Sequence, residues 1–410
     1  MECNIKQYQC CGCDACAVEQ VLDLGKQPPS NMFLADRNEN FPTHALRLGV
    51  CNVCGLVQLI NLMPLEVVRC RHPWLTYNEP ENYLNALADY LANLVLGSGR
   101  MSPRMLGISY KDNSLLRRLE QRGWKRCAAL GLQEQSVGIE VLQGRITPAW
   151  ARNAAGCCGL VDVVLARHIL EHARRPSEFV KACGMLACPG GLLVFEVPGC
   201  DSMLNRNEHY SLWEEHITYF TRATLKRFLS SCGLEVLEIR EYTASPDPSL
   251  VALARSGGSQ HAVAYSCGVM DDVMRARRFA ASLPVRAAMA RSVLARWRAS
   301  GTLFGPATPV ALFGAGHLGM KYINFYGLAP LLQIVIDDHP NKLGRFLPGS
   351  LLPVVSSDWL RNIERGICLL AFNPDNQARV MAAHTKFTIR GGRWFSIFAD
   401  DPQCQKRGTV

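Results

Sequence analysis

The sequence predicts an α/β chain in which two doubly wound sheets follow one another and a small metal-binding module precedes them. Three observations predict it. Two Cys-x-x-Cys spacings fall near the N-terminus, short apolar runs alternate with amphipathic stretches between Arg104 and Val197, and a glycine-rich turn follows the apolar run that begins at Val310.

The cysteine module comes first. Cys10-Cys-Gly-Cys13-Asp-Ala-Cys16 is followed about 40 residues later by Cys51-Asn-Val-Cys54-Gly. Two residues between thiolates let one tight turn aim both sulfurs at a single ion, and two such turns complete a closed tetrahedral site for zinc. Cys10/Cys13 and Cys13/Cys16 both have the required spacing, and Cys11 is a further spare thiol. No thioredoxin-like βαβ pattern surrounds the pairs, so a redox role is not expected.

The middle of the chain justifies the first sheet. Apolar runs at Arg104-Met-Leu-Gly107, Cys127-Ala-Ala-Leu-Gly-Leu132, Val161-Asp-Val-Val-Leu-Ala166 and Gly191-Leu-Leu-Val-Phe-Glu-Val197 alternate with the amphipathic Leu115-Leu-Arg-Arg-Leu-Glu120 and Pro176-Ser-Glu-Phe-Val-Lys181. Such alternation implies a parallel sheet covered on both faces, with ligands at the carboxyl ends of its strands.

A connecting segment follows. Between Asp271 and Thr302, Met274, Phe279, Leu283, Val293, Leu294 and Trp297 recur among Arg and Ala, predicting one or two amphipathic helices broken near Pro284. The second sheet is announced by Pro309-Val-Ala-Leu-Phe-Gly314-Ala-Gly316-His-Leu-Gly319, with Ile334-Val-Ile-Asp337-Asp338 about 20 residues on. Strand, glycine turn, helix, strand and terminal acid are the elements of a dinucleotide-binding fingerprint.

Composition narrows the function classes. A chain of 410 residues exceeds what one core supports, and 48% apolar with 19% charged residues is ordinary for globular domains. No run of about 18 uncharged apolar residues occurs, and the opening Met-Glu-Cys-Asn-Ile-Lys-Gln lacks a secretory apolar stretch, so a cytoplasmic protein with no membrane partner is expected. In that setting the 18 cysteines read as thiols and metal ligands. The net charge of +9, concentrated in Arg275 to Arg298 and in pairs such as Arg117-Arg118, suits solvated helix faces or a phosphorylated small molecule. No basic stretch is interleaved with aromatics, so no nucleic-acid partner is expected.

Several stretches together resemble the sugar C-methyltransferases of deoxysugar biosynthesis. They are Cys10 to Gln27 with Cys51-Asn-Val-Cys-Gly-Leu-Val-Gln-Leu59, then Trp213-Glu-Glu-His-Ile-Thr-Tyr-Phe-Thr221, and finally Val310 to Pro348, while Val161 to His172 with Leu186 to Pro198 resembles the second half of class I S-adenosylmethionine-dependent methyltransferases. The resemblance implies a zinc-binding domain over residues 1–75, a class I methyltransferase-like doubly wound domain over 76–257, a helical linker over 258–302 and a C-terminal Rossmann-like domain over 303–410. It also implies structural Zn2+ on Cys10, Cys13, Cys51 and Cys54, and S-adenosylmethionine at the first sheet, near Gly107, Ser109, Asp112, Gln133 and Arg167. The substrate implied is a small molecule of the nucleotide-diphosphate sugar class, handled by a monomer or homodimer.

The same resemblance assigns roles in the reaction. C-methylation beside a carbonyl needs a base and donors for the enolate oxygen. His216 matches the family's base with Glu215 beside it, His172 matches a histidine near the sugar, and Tyr77 falls where the family places an active-site tyrosine. Trp213 stands where a tyrosine is usual, and Gly314, Gly316, Gly319, Asp338 and Lys342 form the substrate-binding set of the C-terminal domain. Two positions depart from the family pattern: Gly107-Ile-Ser-Tyr-Lys-Asp-Asn113 replaces a glycine turn, and Gln133-Glu134 replaces a ribose-binding acid. They define an alternative, a methyltransferase-like protein with impaired cofactor binding and altered chemistry or a binding role. A second alternative is an NAD(P)-binding oxidoreductase working through Gly314 to Gly319.

Overall fold

A computed structural model describes residues 7–72, 74, 75, 79, 81–96, 102–127, 138–243, 248–257, 268–300 and 307–398. Three five- or six-stranded sheets follow one another along it.

The first sheet is antiparallel, in the order Gln7–Tyr8, Val18–Gln27, His44–Cys51, Val57–Leu59 and Thr218–Tyr219. Its inner face is made by Leu46, Leu48, Val50, Val57 and Leu59, all buried. The fifth strand arrives from much later in the chain: Tyr219 pairs with Val57 and Thr218 with Gln58. The cysteine module is thereby completed by a piece of the middle of the chain.

The second sheet has the order Leu234–Tyr242, Ser249–Ser256, Ala187–Pro198, Val161–Arg167, Arg104–Gly107 and Lys125–Arg126. The last four are parallel, as their apolar runs predict, but Ser249–Ser256 is antiparallel to both neighbours, so the sheet is mixed rather than wholly parallel. Leu234–Tyr242 reads Leu-Glu-Val-Leu-Glu-Ile-Arg-Glu-Tyr and is largely half-exposed, the alternation of an edge strand with one solvated face.

The third sheet is parallel, in the order Val354–Val355, Ile334–Ile336, Val310–Phe313, Ile367–Leu370 and Arg393–Ser396. Val310–Phe313 lies where the strand order reverses, and its carboxyl end carries the glycine turn. That is the ligand-facing position of a doubly wound sheet.

The segment expected to break near Pro284 is instead one helix, Val269–Ala299, with Pro284 inside it. An internal proline costs about 3 kcal/mol through its missing N–H and its ring, and burial on both sides offsets it. Val273, Ala276 and Phe279 pack on the first sheet, whereas Ala287, Ala290 and Leu294 pack on the third. The helix ties the two sheets together.

Candidate functional site

The first constellation is the cysteine cluster. Backbone N–H groups of Gly12 and Val53 donate to the sulfurs of Cys10 and Cys51, each at 3.4 Å, which shapes two matching knuckles. The sulfurs of Cys10, Cys13, Cys51 and Cys54 all lie within 4.8 Å of one another, with Cys10–Cys54 and Cys13–Cys51 both 3.6 Å apart. A tetrahedron with Zn–S near 2.3 Å has edges of about 3.8 Å, so the four thiolates fit zinc. Cys16 is exposed and outside the cluster, and Cys11 turns its backbone N–H to Gln58 Oε1 at 2.9 Å. The ambiguity left by spacing is resolved in favour of Cys10 and Cys13.

The second constellation sits at the strand ends of the middle sheet. Gly107 closes Arg104–Gly107, and a Cβ there would meet the Asp112 Cβ at 2.7 Å. Ser109 caps the short turn that follows. Its hydroxyl accepts from the Lys111 N–H, while Asp112 accepts from the Ser109 N–H at 2.8 Å and from the Arg167 N–H at 3.0 Å. Burial pushes Asp112 up to about 7, against the hydrogen bonds it accepts. Asp112 and Ser109 thus engage the Ser109 and Lys111 N–H groups within the turn itself. Gln133, named for the ribose end, and its neighbour Glu134 lie outside the described residues.

Arg167, grouped by resemblance with cofactor ligands, is 2% exposed and tied inward. Its Nε donates to Glu196 at 2.5 Å and one Nη to the Lys111 carbonyl at 2.8 Å. Burial opposes the charge on Glu196, but Arg167 and His168 outweigh it and hold the carboxyl below its usual range. His168 completes the network: burial disfavours its charge, yet Glu79 and Glu196 raise it to about 10. Glu79 in turn pairs with Lys111 at 3.0 Å.

The third constellation is a histidine cluster built by two short segments. His172 ends the turn Leu170–His172 after the strand Val161–Arg167. His216 lies two residues before Thr218–Tyr219, and the Ile217 N–H donates to the Glu171 carbonyl at 2.7 Å, which brings the segments together. The two imidazoles stand 4.7 Å apart edge to face, Trp213 lies 4.8 Å from His216, and His317 stacks on Trp213 at 4.6 Å. Burial, then the neighbouring His172 and His317, push half-buried His216 well below the ordinary histidine value. Burial and Lys111 push His172 down to about 3. Both rings are neutral at neutral pH.

Glu215 does not stand against His216 in this arrangement. Its carboxyl receives Asn31 Nδ2 at 3.4 Å on the opposite side, and burial, with Glu214 and Glu140, raises it well above the ordinary carboxyl value. Glu214 and Glu215 sit in a turn closed by the His216 N–H donating to the Trp213 carbonyl at 3.1 Å, and the Glu215 side chain leaves it toward Asn31. The carboxylate near the histidines is Glu171, 4.0 Å from His172 Nε2. Tyr77 lies outside the described residues.

The C-terminal glycine turn supplies the wall opposite. A Cβ on Gly319 would meet the Gly314 carbonyl at 2.3 Å and one on Gly314 the Ala371 carbonyl at 2.9 Å, whereas Gly316 has open space. Asp337 rather than Asp338 faces the turn: it accepts from the Ala315 N–H at 3.0 Å and from Lys342 at 2.8 Å, while exposed Asp338 caps the Ser357 N–H. Asp337, at the end of Ile334–Ile336, is thus engaged by the glycine turn and by Lys342.

Sequence reasoning missed Glu171, Glu79, His317, Glu214 and Lys321. Lys321 and Glu214 form a buried ion pair of 2.6 Å, and Glu214 also accepts from Ser30. His317 could have been found as the only ionisable residue inside the glycine turn, and Glu171 and Glu214 as acids inside the quoted Leu-Glu-His and Trp-Glu-Glu-His stretches; Glu79 and Lys321 lie in no motif.

Comparisons with known proteins accord with this architecture. Residues 10–68 match the family model described as "Putative zinc binding domain", and residues 269–398 match the C-methyltransferase C-terminal domain. The chain is 25% identical to the C-methyltransferase NovU of Streptomyces niveus, across 93% of this chain and 94% of that protein. It is 25% identical over 181 residues to the ubiquinone biosynthesis O-methyltransferase of Azoarcus sp. strain BH72, covering 38% of this chain and 75% of the relative. Similar solved structures include the 1,6-didemethyltoxoflavin-N1-methyltransferase of Burkholderia thailandensis, at 14% identity and a TM-score of 0.29 over 42% of this chain and 78% of that one. The CcbJ methyltransferase of Streptomyces caelestis gives the same identity and TM-score over 45% and 99%. The two ends of the chain thus match a zinc-binding and a C-methyltransferase domain model, and a C-methyltransferase aligns with it along nearly its whole length.

Proposed function

We propose that this protein acts on a small carbonyl-bearing metabolite of the nucleotide-diphosphate sugar class, with His216 removing the proton beside the carbonyl. The carrying observation is the setting of His216. It is neutral, half-buried, covered by Trp213 and flanked by a second neutral imidazole, His172. A neutral imidazole accepts a proton without first losing one. On this reading His172 donates to the enolate oxygen, and Glu171, 4.0 Å from its Nε2, orients it. His317 and Lys342, from the C-terminal domain, put positive charge and a stacking ring on the side where a diphosphate would lie. S-adenosylmethionine supplies an electrophilic methyl group to a carbanion when it is bound.

A second reading has its own observation in the closed Ser109–Asp112 turn. The same scaffold without cofactor affinity would keep a small-molecule site and lose methyl transfer. Calorimetric titration with S-adenosylmethionine separates the two. Binding, followed by loss of turnover in His216→Ala with binding intact, supports the methyltransferase; no heat at millimolar cofactor supports the second reading.

A further inference from the structure

The histidine cluster has a property that proton transfer does not use. One ligand atom from each of Glu171, His172 and His216 lies within 4.8 Å of the other two. Glu171 and His172 are 2% and 6% exposed, and among the described residues Glu171 Oε2 and His172 Nδ1 have no hydrogen-bond partner. Such buried polar atoms are costly when nothing meets them. Two neutral imidazoles and one carboxylate are the donor set that borderline first-row metal ions take in open three-ligand sites.

We propose that Glu171, His172 and His216 form a second divalent-metal site, distinct from the four-cysteine centre, that binds Zn2+ or Co2+ reversibly and blocks His216 as a base. The blocking rests on the proton-abstraction reading above; the binding does not.

The geometry asks for little. Ligands at 2.0–2.2 Å from one ion lie about 3–3.5 Å apart, so the present separations close by roughly an ångström of side-chain rotation. His216 is half-buried, which gives the ion an entry path that the two deeper ligands lack. Coordination uses a lone pair on each imidazole, and the His216 lone pair is the one a substrate proton would need. Metal and proton abstraction are therefore exclusive.

The test uses the full chain with its structural zinc loaded first, then titrated with Co2+. One further equivalent is expected, with weak d–d absorption and none of the charge-transfer absorption that thiolate ligands would give. His216→Ala and His172→Ala should each weaken it about tenfold or more, while zinc content stays at one per chain. Glu171→Gln keeps the shape and should act in the same direction, so a fold defect in one variant leaves two others, each checked by circular dichroism. Absence of a further equivalent, or an affinity unchanged in the folded variants, overturns the proposal. Where turnover is measurable, Zn2+ at the same concentrations should suppress it, and a weak chelator that spares the cysteine centre should restore it. Inhibition that persists undiminished in Glu171→Gln, which keeps His216, overturns the blocking. Failure of metal binding leaves the proton-abstraction reading standing, and a protein without turnover in metal-free buffer fails that reading while the cobalt titration still decides the site.

Discussion

Removing the positive partner of the buried Lys321–Glu214 pair should loosen the junction of the first and third sheets. Lys321 and Glu214 are 1% and 0% exposed at the side chain and 2.6 Å apart. Lys321 reaches the Pro28 carbonyl at 3.4 Å, and Glu214 accepts from the hydroxyl and N–H of Ser30, so one ion pair binds a loop of the first sheet, the Trp213–His216 segment and the helix His317–Tyr326. Lys321→Met leaves a carboxylate in a dry site with only the Ser30 donors. Breaking one side of a buried pair costs about 3–5 kcal/mol, and for domains of this size each kcal/mol moves the melting midpoint by about 2–4 °C. A fall of roughly 10 °C in the calorimetric transition of the C-terminal part is expected. Glu214→Met combined with Lys321→Met removes both charges and should recover at least about 2 kcal/mol over the single variant. A single variant within 1 kcal/mol of the parent by denaturant titration, or a double variant worse than the sum, refutes the reasoning.

Further outcomes follow from other contacts. Zinc removal by a strong chelator should raise hydrogen exchange in His44–Cys51 and Thr218–Tyr219 while Val161–Arg167 stays protected; simultaneous loss would contradict the separation. Gly319→Ala should cost about 1–3 kcal/mol because its Cβ would meet the Gly314 carbonyl at 2.3 Å, and Gly316→Ala, with open space, well under 1; equal costs by urea denaturation would be inconsistent with that packing. Imidazole nitrogen shifts should show His168 charged at pH 8 and His172 neutral at pH 5, given values of about 10 and 3. His168 is raised in the fold, so its contribution is complete below the ordinary value near 6.5 and is lost as pH climbs toward 10; stability of His168→Gln should converge on that of the parent over that window.

Much of this architecture is legible in the residues because it is local. Cysteine spacing, strand–helix alternation and the glycine turn each depend on neighbours a few positions apart, and they emerge as written. Pro284 misled because its penalty is local while the burial that overcomes it is tertiary: Phe279 meets one sheet and Leu294 another. Where Glu215 points is likewise beyond adjacency in sequence, because a turn between Trp213 and His216 carries its carboxyl to Asn31. Glu171, one residue before a histidine already singled out, takes the place near His216 through the Ile217–Glu171 backbone contact, which no periodicity announces. The departures at Gly107 to Asn113 were visible as text, but that Asp112 would turn back and seal the turn needed coordinates.

The shared fifth strand of the first sheet also bears on how the chain is made. Val57–Leu59 is an edge with unmet backbone groups until Thr218–Tyr219 reaches it, about 160 residues later. A ribosome adding about 5–20 residues per second leaves that edge uncovered for roughly 10 to 30 seconds. Zinc can close the cysteine knuckles during this interval, holding a nascent sheet in register while it waits for its last strand. Synthesis in zinc-poor cells should thus harm the yield of folded protein more than stripping zinc from the finished molecule harms its fold.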